Sequence, residues 1–130
     1  MELALKEGLQ YIADKIVTKE DTASKYGSGL VEVLATPAMI GLMENAAMNA
    51  VLPYLPQGYG TVGTSIHVAH SKATPVGMKV WGVATLLKVD GKRLQFEVTA
   101  KDEQGEIGRG THERYVVNVE KFTAKAYGKA

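Results

Sequence analysis

The run from Ala35 to Leu52, ATPAMIGLMENAAMNAVL, constrains the fold more than any other part of the sequence. Thr36-Pro37 reads as N-cap and first helical residue, because a threonine oxygen can accept from an early orphan N–H and proline loses no hydrogen bond there. Pro53 and Pro56-Gln57-Gly58 cannot continue the helix, which leaves about 15 helical residues between the two signals. Apolar or small side chains occupy almost every face, a pattern that predicts a buried helix rather than an amphipathic one. Glu44 is the only charged side chain within it. A lone carboxylate on a buried helix must be paired, hydrogen-bonded or neutralised, since an unpaired buried charge costs several kcal/mol. It is therefore either a structural pair, or snorkelling to a rim, or a catalytic acid, base or nucleophile in a dry pocket. Thr36 has its own plain alternative as an ordinary helix cap.

The rest of the chain predicts strands. Leu9, Ile12 and Ile16 have mixed periodicity, read here as an opening strand after a frayed start. Asp21 to Gly29 is polar, and Tyr26-Gly27-Ser28-Gly29 reads as a loop near the helix N-terminus, where a mobile lid would sit. Pro53 to Gly60 is a connection. Val62 to Lys72 then alternates, with Thr64, Ile66, Val68 and His70 on one face and Ser65, His67 and Ala69 on the other. Ala73-Thr74-Pro75-Val76-Gly77 breaks that strand, and Met78 to Val89 forms the next. Asp90-Gly91 makes a tight turn to Arg93 to Asp102, and Glu103-Gln104-Gly105 turns into Ile107 to Val119. The tail, Glu120 to Ala130, is basic and expected to be partly disordered.

This order, a strand, a long buried helix and four strands joined by hairpins, is an α+β pattern: an antiparallel sheet wrapped around one central helix. It is not βαβ, because no glycine-rich turn links a strand to a following helix. At 130 residues the chain is read as one domain, 1–130. One short sheet leaves its helix and edges partly uncovered, so a homodimer is expected.

Composition excludes several classes. Charges are interspersed and the net charge is +1, so neither nucleic acid nor a membrane surface is an expected partner. The chain has no cysteine, which rules out disulfides and thiolate metal sites and fits a reducing cytoplasm. Met1 to Lys6 already carries an acid, and no apolar run reaches the ~18 residues of a spanning helix, so neither export nor insertion is expected. His67, His70 and His112 invite a metal reading, but the first two face opposite ways and the third lies on another strand, so no metal is expected. The alternating glycines of Gly105 to Thr111 lie in a strand and lack a following helix, which argues close packing against the helix, not a nucleotide loop. Gly63 could simply start a strand, or could let a ligand carbonyl approach a backbone N–H. Arg114 defaults to a solvated arginine. His70, at a strand end beside a proline and glycine break, is placed to be oriented and reachable.

Six runs carry a resemblance: Val33-Leu34-Ala35-Thr36, Gly41-Leu42-Met43-Glu44, Gly63-Thr64, His70 with Ala73-Thr74-Pro75, Gly108 to Arg114, and Glu120-Lys121-Phe122. Over roughly residues 30 to 125 the chain resembles the hot-dog-fold thioesterases, and within them the fluoroacetyl-coenzyme A thioesterase type. The resemblance implies an acyl-CoA substrate, hydrolysis to the carboxylic acid and free CoA, and no cofactor. It also implies that Thr36, Glu44 and His70 form the catalytic group, with Gly63, His70 and Arg114 contacting substrate. That family carries lid phenylalanines ahead of the threonine, whereas this chain has Leu30 and Gly27 there, with Tyr26 nearby. A thioester carbonyl gains oxyanion charge on attack, and the Gly63 N–H and the helix N-terminus are suitable donors in kind. Two other functions fit the same fold: a non-catalytic acyl-CoA-binding module, and a hot-dog dehydratase or isomerase acting on the acyl α and β carbons.

Overall fold

The computed structural model describes residues 3–128. Helix α2 spans Thr36–Val51, 16 residues, and Leu52–Tyr54 adds a 3-10 turn before the prolines end it. Ala35 is the N-cap, and Thr36 opens the helix without using its side chain as a cap. The proline signal thus places the helix start correctly, but the threonine hydroxyl is turned elsewhere.

Met39, Met43, Ala46, Ala47 and Ala50 recur with helical period and are fully buried. Burying a methionine of this kind stabilises by about 1.5–3 kcal/mol. The opposite side of α2 is not covered: Gly41 and Asn45 are exposed, and Ile40, Glu44 and Met48 are half-buried. The expectation of a helix buried all round fails for the single chain, because a sheet covers a helix from one side only.

The sheet has five antiparallel strands in the order β1-β3-β4-β5-β2. They are β1 (Gln10–Ile16), β2 (Tyr59–His70), β3 (Lys79–Asp90), β4 (Arg93–Asp102) and β5 (Gly105–Asn118). Strands β3, β4 and β5 are joined by hairpins, as the turn residues predict. Strand β2 is not: it pairs with β5 at the far edge, and the segment after His70 crosses over to start β3 beside β1. At Gly82 of β3 an added Cβ would lie 3.1 Å from the Leu42 backbone, so this glycine allows the helix to touch the sheet. A Cβ at Gly108 would strike Met39 of α2, as the glycine pattern predicts, whereas one at Gly110 would strike the His67 carbonyl of β2.

Strand β2 starts three residues earlier than expected, so Gly63 lies inside it and not at its start. A bulge between Gly63 and Ser65 makes Thr64 the extra residue, and its hydroxyl bonds to Glu113 at the surface. Gly63 therefore shares the inward face with Ile66, Val68 and His70, in place of Thr64.

Two further expectations change. The polar segment 21–29 contains a short helix, α1 (Ala23–Tyr26), ended by Gly27 at φ 74°. It is held by buried Asp21, which accepts from Lys15 Nζ at 2.6 Å and from the Thr18 backbone N–H at 2.8 Å. The tail forms α3 (Val119–Ala126), whose N-cap Asn118 accepts from the Lys121 N–H at 3.0 Å. Met1, Glu2, Lys129 and Ala130, where the frayed start and the end of the tail were expected, lie outside the described residues.

Candidate active site

The five residues named from sequence fall into two groups along α2. The first lies at the helix start, where Thr36 Oγ1 and His70 Nδ1 are 2.8 Å apart. This pairing brings the first residue of α2 to the last residue of β2, and explains why the threonine does not cap. Burial holds the His70 imidazole below its ordinary value, while the Lys72 backbone pulls the other way. Its Nε2 is buried without a partner. An unsatisfied buried nitrogen costs about 1–3 kcal/mol, so this atom is free to be met by a ligand. The pair lines a cavity of about 310 Å³ with Val31, Val33 and Lys72, beside the 27–33 segment. In that segment Leu30 is 99% exposed.

The second group is built around Glu44, two helical turns further on. A cavity of about 410 Å³ is lined by Gly41, Glu44, Met48, Thr61, Gly63 and Arg114. The point where a side chain would begin at Gly63 lies 3.0 Å from Glu44 Oε2, 3.3 Å from His112 Cε1 and 3.4 Å from Arg114 Nη1. Among the described residues no ion pair closes between Glu44 and Arg114. Carboxylate and guanidinium thus converge on the Gly63 backbone at the wall of this cavity, an approach that the missing Cβ allows. Glu44 is half-buried at the cavity wall, and among the described residues no salt bridge pairs it.

Arg114 is buried, at 6% exposure, and is not the solvated arginine its position in an alternating strand suggests. Its Nε donates to Thr61 Oγ1 at 2.8 Å and its Nη2 to the Thr61 carbonyl at 2.9 Å. The third contact is Nη1 with His112 Nε2 at 3.3 Å. Burial lowers the Arg114 pKa, opposed by Glu44, yet a guanidinium remains cationic in a protein. Sequence reasoning reaches His112 only as a metal-ligand candidate and passes over Thr61. The available signal was that His112 and Arg114 are two apart in one strand and must share a face.

A five-stranded antiparallel sheet wrapped around one long central helix is the architecture of the hot-dog-fold thioesterases. A crystal structure of a point mutant of the fluoroacetyl-CoA-specific thioesterase FlK matches with TM-score 0.90 at 41% identity, covering 99% of this chain and 100% of that one. A thioesterase superfamily member of Thermus thermophilus matches with TM-score 0.85 at 30% identity, covering 94% and 90%. The fluoroacetyl-CoA thioesterase of Streptantibioticus cattleyicolor is 51% identical over 98 residues, 75% of this chain and 70% of the relative. The profile of the FlK family, fluoroacetyl-CoA-specific thioesterase, matches residues 17–120. The chain belongs to that family, and it is a hydrolase acting on acyl-CoA thioesters.

Proposed function

We propose that the protein hydrolyses short-chain acyl-CoA thioesters, with Thr36, Glu44 and His70 as the catalytic group and Gly63 and Arg114 as substrate contacts. The observation that carries this reading is the cavity of about 410 Å³ on whose wall Glu44, Gly63 and Arg114 converge, with no Cβ on Gly63 to keep the carboxylate and guanidinium away from the backbone. A carbonyl or water held in that cavity is within reach of a proton acceptor, Glu44, and a cationic donor, Arg114. Glu44 acts as general base toward water or as nucleophile toward the acyl carbon. In either case the C–S bond breaks, water supplies the acid's oxygen and its proton ends on the CoA thiolate, while His70, whose protonated form burial disfavours, orients the leaving group through its unpaired Nε2. Solved structures of FlK variants with acetyl-CoA and with fluoroacetate and CoA support a short acyl group.

The reading includes a homodimer. Thr36 and Glu44 are eight residues apart, so their groups stand about 12 Å apart along the axis, too far for one carbonyl to touch both. A two-fold pairing through the open side of α2 and the β2 edge brings the Glu44 group of one copy to the Thr36–His70 pair of the other. The cytoplasmic location expected from the cysteine-free sequence belongs to the same reading. Among the described residues no helix is long and apolar enough to cross a membrane.

The test is thiol release from a panel of short acyl-CoA thioesters. Glu44→Gln keeps the shape but removes the base or nucleophile, so turnover falls by ~10² or more, while a non-hydrolysable ketone analogue of acetyl-CoA still binds. Near-parental turnover by Glu44→Gln would sink the assignment. A parent protein that binds the analogue and releases no thiol would be an acyl-CoA-binding module instead.

A further inference from the structure

Arg114 has five N–H donors, and three of them are committed to Thr61 and His112. One is left on each terminal nitrogen, and Nη1 lies 3.4 Å from where a side chain at Gly63 would begin, on the wall of the cavity that Arg114 and Gly63 line with Glu44. The direction of those free donors depends on what holds the fork. Thr61 holds one edge. The other edge rests on the His112 ring alone.

The bonding of His112 fixes its chemical form. Arginine has no acceptor, so His112 Nε2 must accept from Arg114 Nη1, and the ring proton must sit on Nδ1. Nδ1 then donates to the Ser65 carbonyl at 2.8 Å, just past the β2 bulge. A second proton would put a donor against a donor and release the guanidinium. The site opposes this: His112 is 3% exposed. Burial and Arg114 hold its imidazole below the ordinary value, against the Ser65 carbonyl and Glu44. Charged groups around the ring are Glu44 from α2, Arg114 from its own strand, and Glu113, which lines a neighbouring cavity with it. Phe96 of β4 packs beside it and carries no charge.

We infer that His112 is the positioning residue of this site: as the neutral Nδ1–H tautomer it ties the guanidinium of Arg114 to the bulge that presents Gly63, so that the donor and the glycine wall of the cavity are set together. The inference rests on the reading that the acyl carbonyl binds beside Gly63. It names a residue that acts through Arg114 and is not among those lining the cavity itself.

A double-mutant cycle tests it, read by calorimetric binding of the ketone analogue of acetyl-CoA. His112→Phe is the main variant, because the ring lines a cavity of about 230 Å³ and a smaller side chain would add water to the change. In the parent, His112→Phe weakens binding about tenfold, the size of one hydrogen bond to a charged donor. In an Arg114→Gln background the same change has less than about a twofold effect, because the group it acts through is gone. His112→Gln, whose amide can accept and donate, recovers most of the parental affinity. An equal loss in both backgrounds would overturn the inference, since His112 would then act through the fold. If His112→Phe does not fold, His112→Leu carries the same cycle. Thiol release by the parent is measured separately: its absence strikes the hydrolase reading and leaves the binding cycle to decide on His112. Failure of the parent to bind the analogue overturns both.

Discussion

At Gly63 one missing methyl group sets how closely three side chains approach the backbone at the cavity wall. A Cβ there would crowd the Glu44 carboxylate, the His112 ring edge and the Arg114 guanidinium, all of them side-chain ends and none of them backbone. Gly63→Ala should therefore fold, with a thermal midpoint within a few degrees of the parent, and lose about a hundredfold in kcat/KM, the scale of an oxyanion donor. An alanine variant that turns over like the parent would show that the space is not used. How legible each residue was depends on what surrounds it. Glu44 could be found because it is the one charge in an apolar helix. Thr36 could be seen but not interpreted, since its bond runs to His70, 34 positions away. Arg114 gave no signal of burial, because that burial depends on Thr61 and His112, and so on a bulge that a two-residue period does not foresee.

Elements bounded by proline and glycine were read nearly to their ends, because these residues act locally on the backbone. What was not legible is long-range order. Nothing in β2 says that it pairs with β5, and the turn rules that place β3, β4 and β5 do not apply to it. Helix α3 was missed although its cap, Asn118 with Lys121, is local, because a basic tail reads as solvated. The 27–33 segment is where both the sequence and the structure bear on selectivity. Gly27 is in the left-handed region, Leu30 is 99% exposed, and no aromatic covers the Thr36–His70 cavity from this segment. A cover of this kind seals poorly against water and discriminates weakly, since one small group in an apolar pocket is worth only ~1–3 kcal/mol. Acetyl-CoA and fluoroacetyl-CoA are accordingly expected to lie within about two orders of magnitude in kcat/KM, measured in direct competition. A preference well beyond that would place selectivity in the catalytic residues and not in the cover.

For the molecule as a whole, the uncovered side of α2 and the free edge of β2 are features that a single copy leaves open. Sedimentation at micromolar concentration should give twice the chain mass of 14.0 kDa, and a monomer there would remove the basis for a shared site. The spacing of Thr36 and Glu44 on one helix also has a genetic consequence. If each site takes its threonine from one chain and its glutamate from the other, two inactive variants can rescue each other. In a mixed pair of Thr36→Ala and Glu44→Gln chains, one site inherits both lesions and the other inherits none. Co-refolding equal amounts should therefore restore about a quarter of the parental rate, as random association makes half the pairs mixed and leaves one sound site in each. Chains that each held a complete site would stay silent however they were combined.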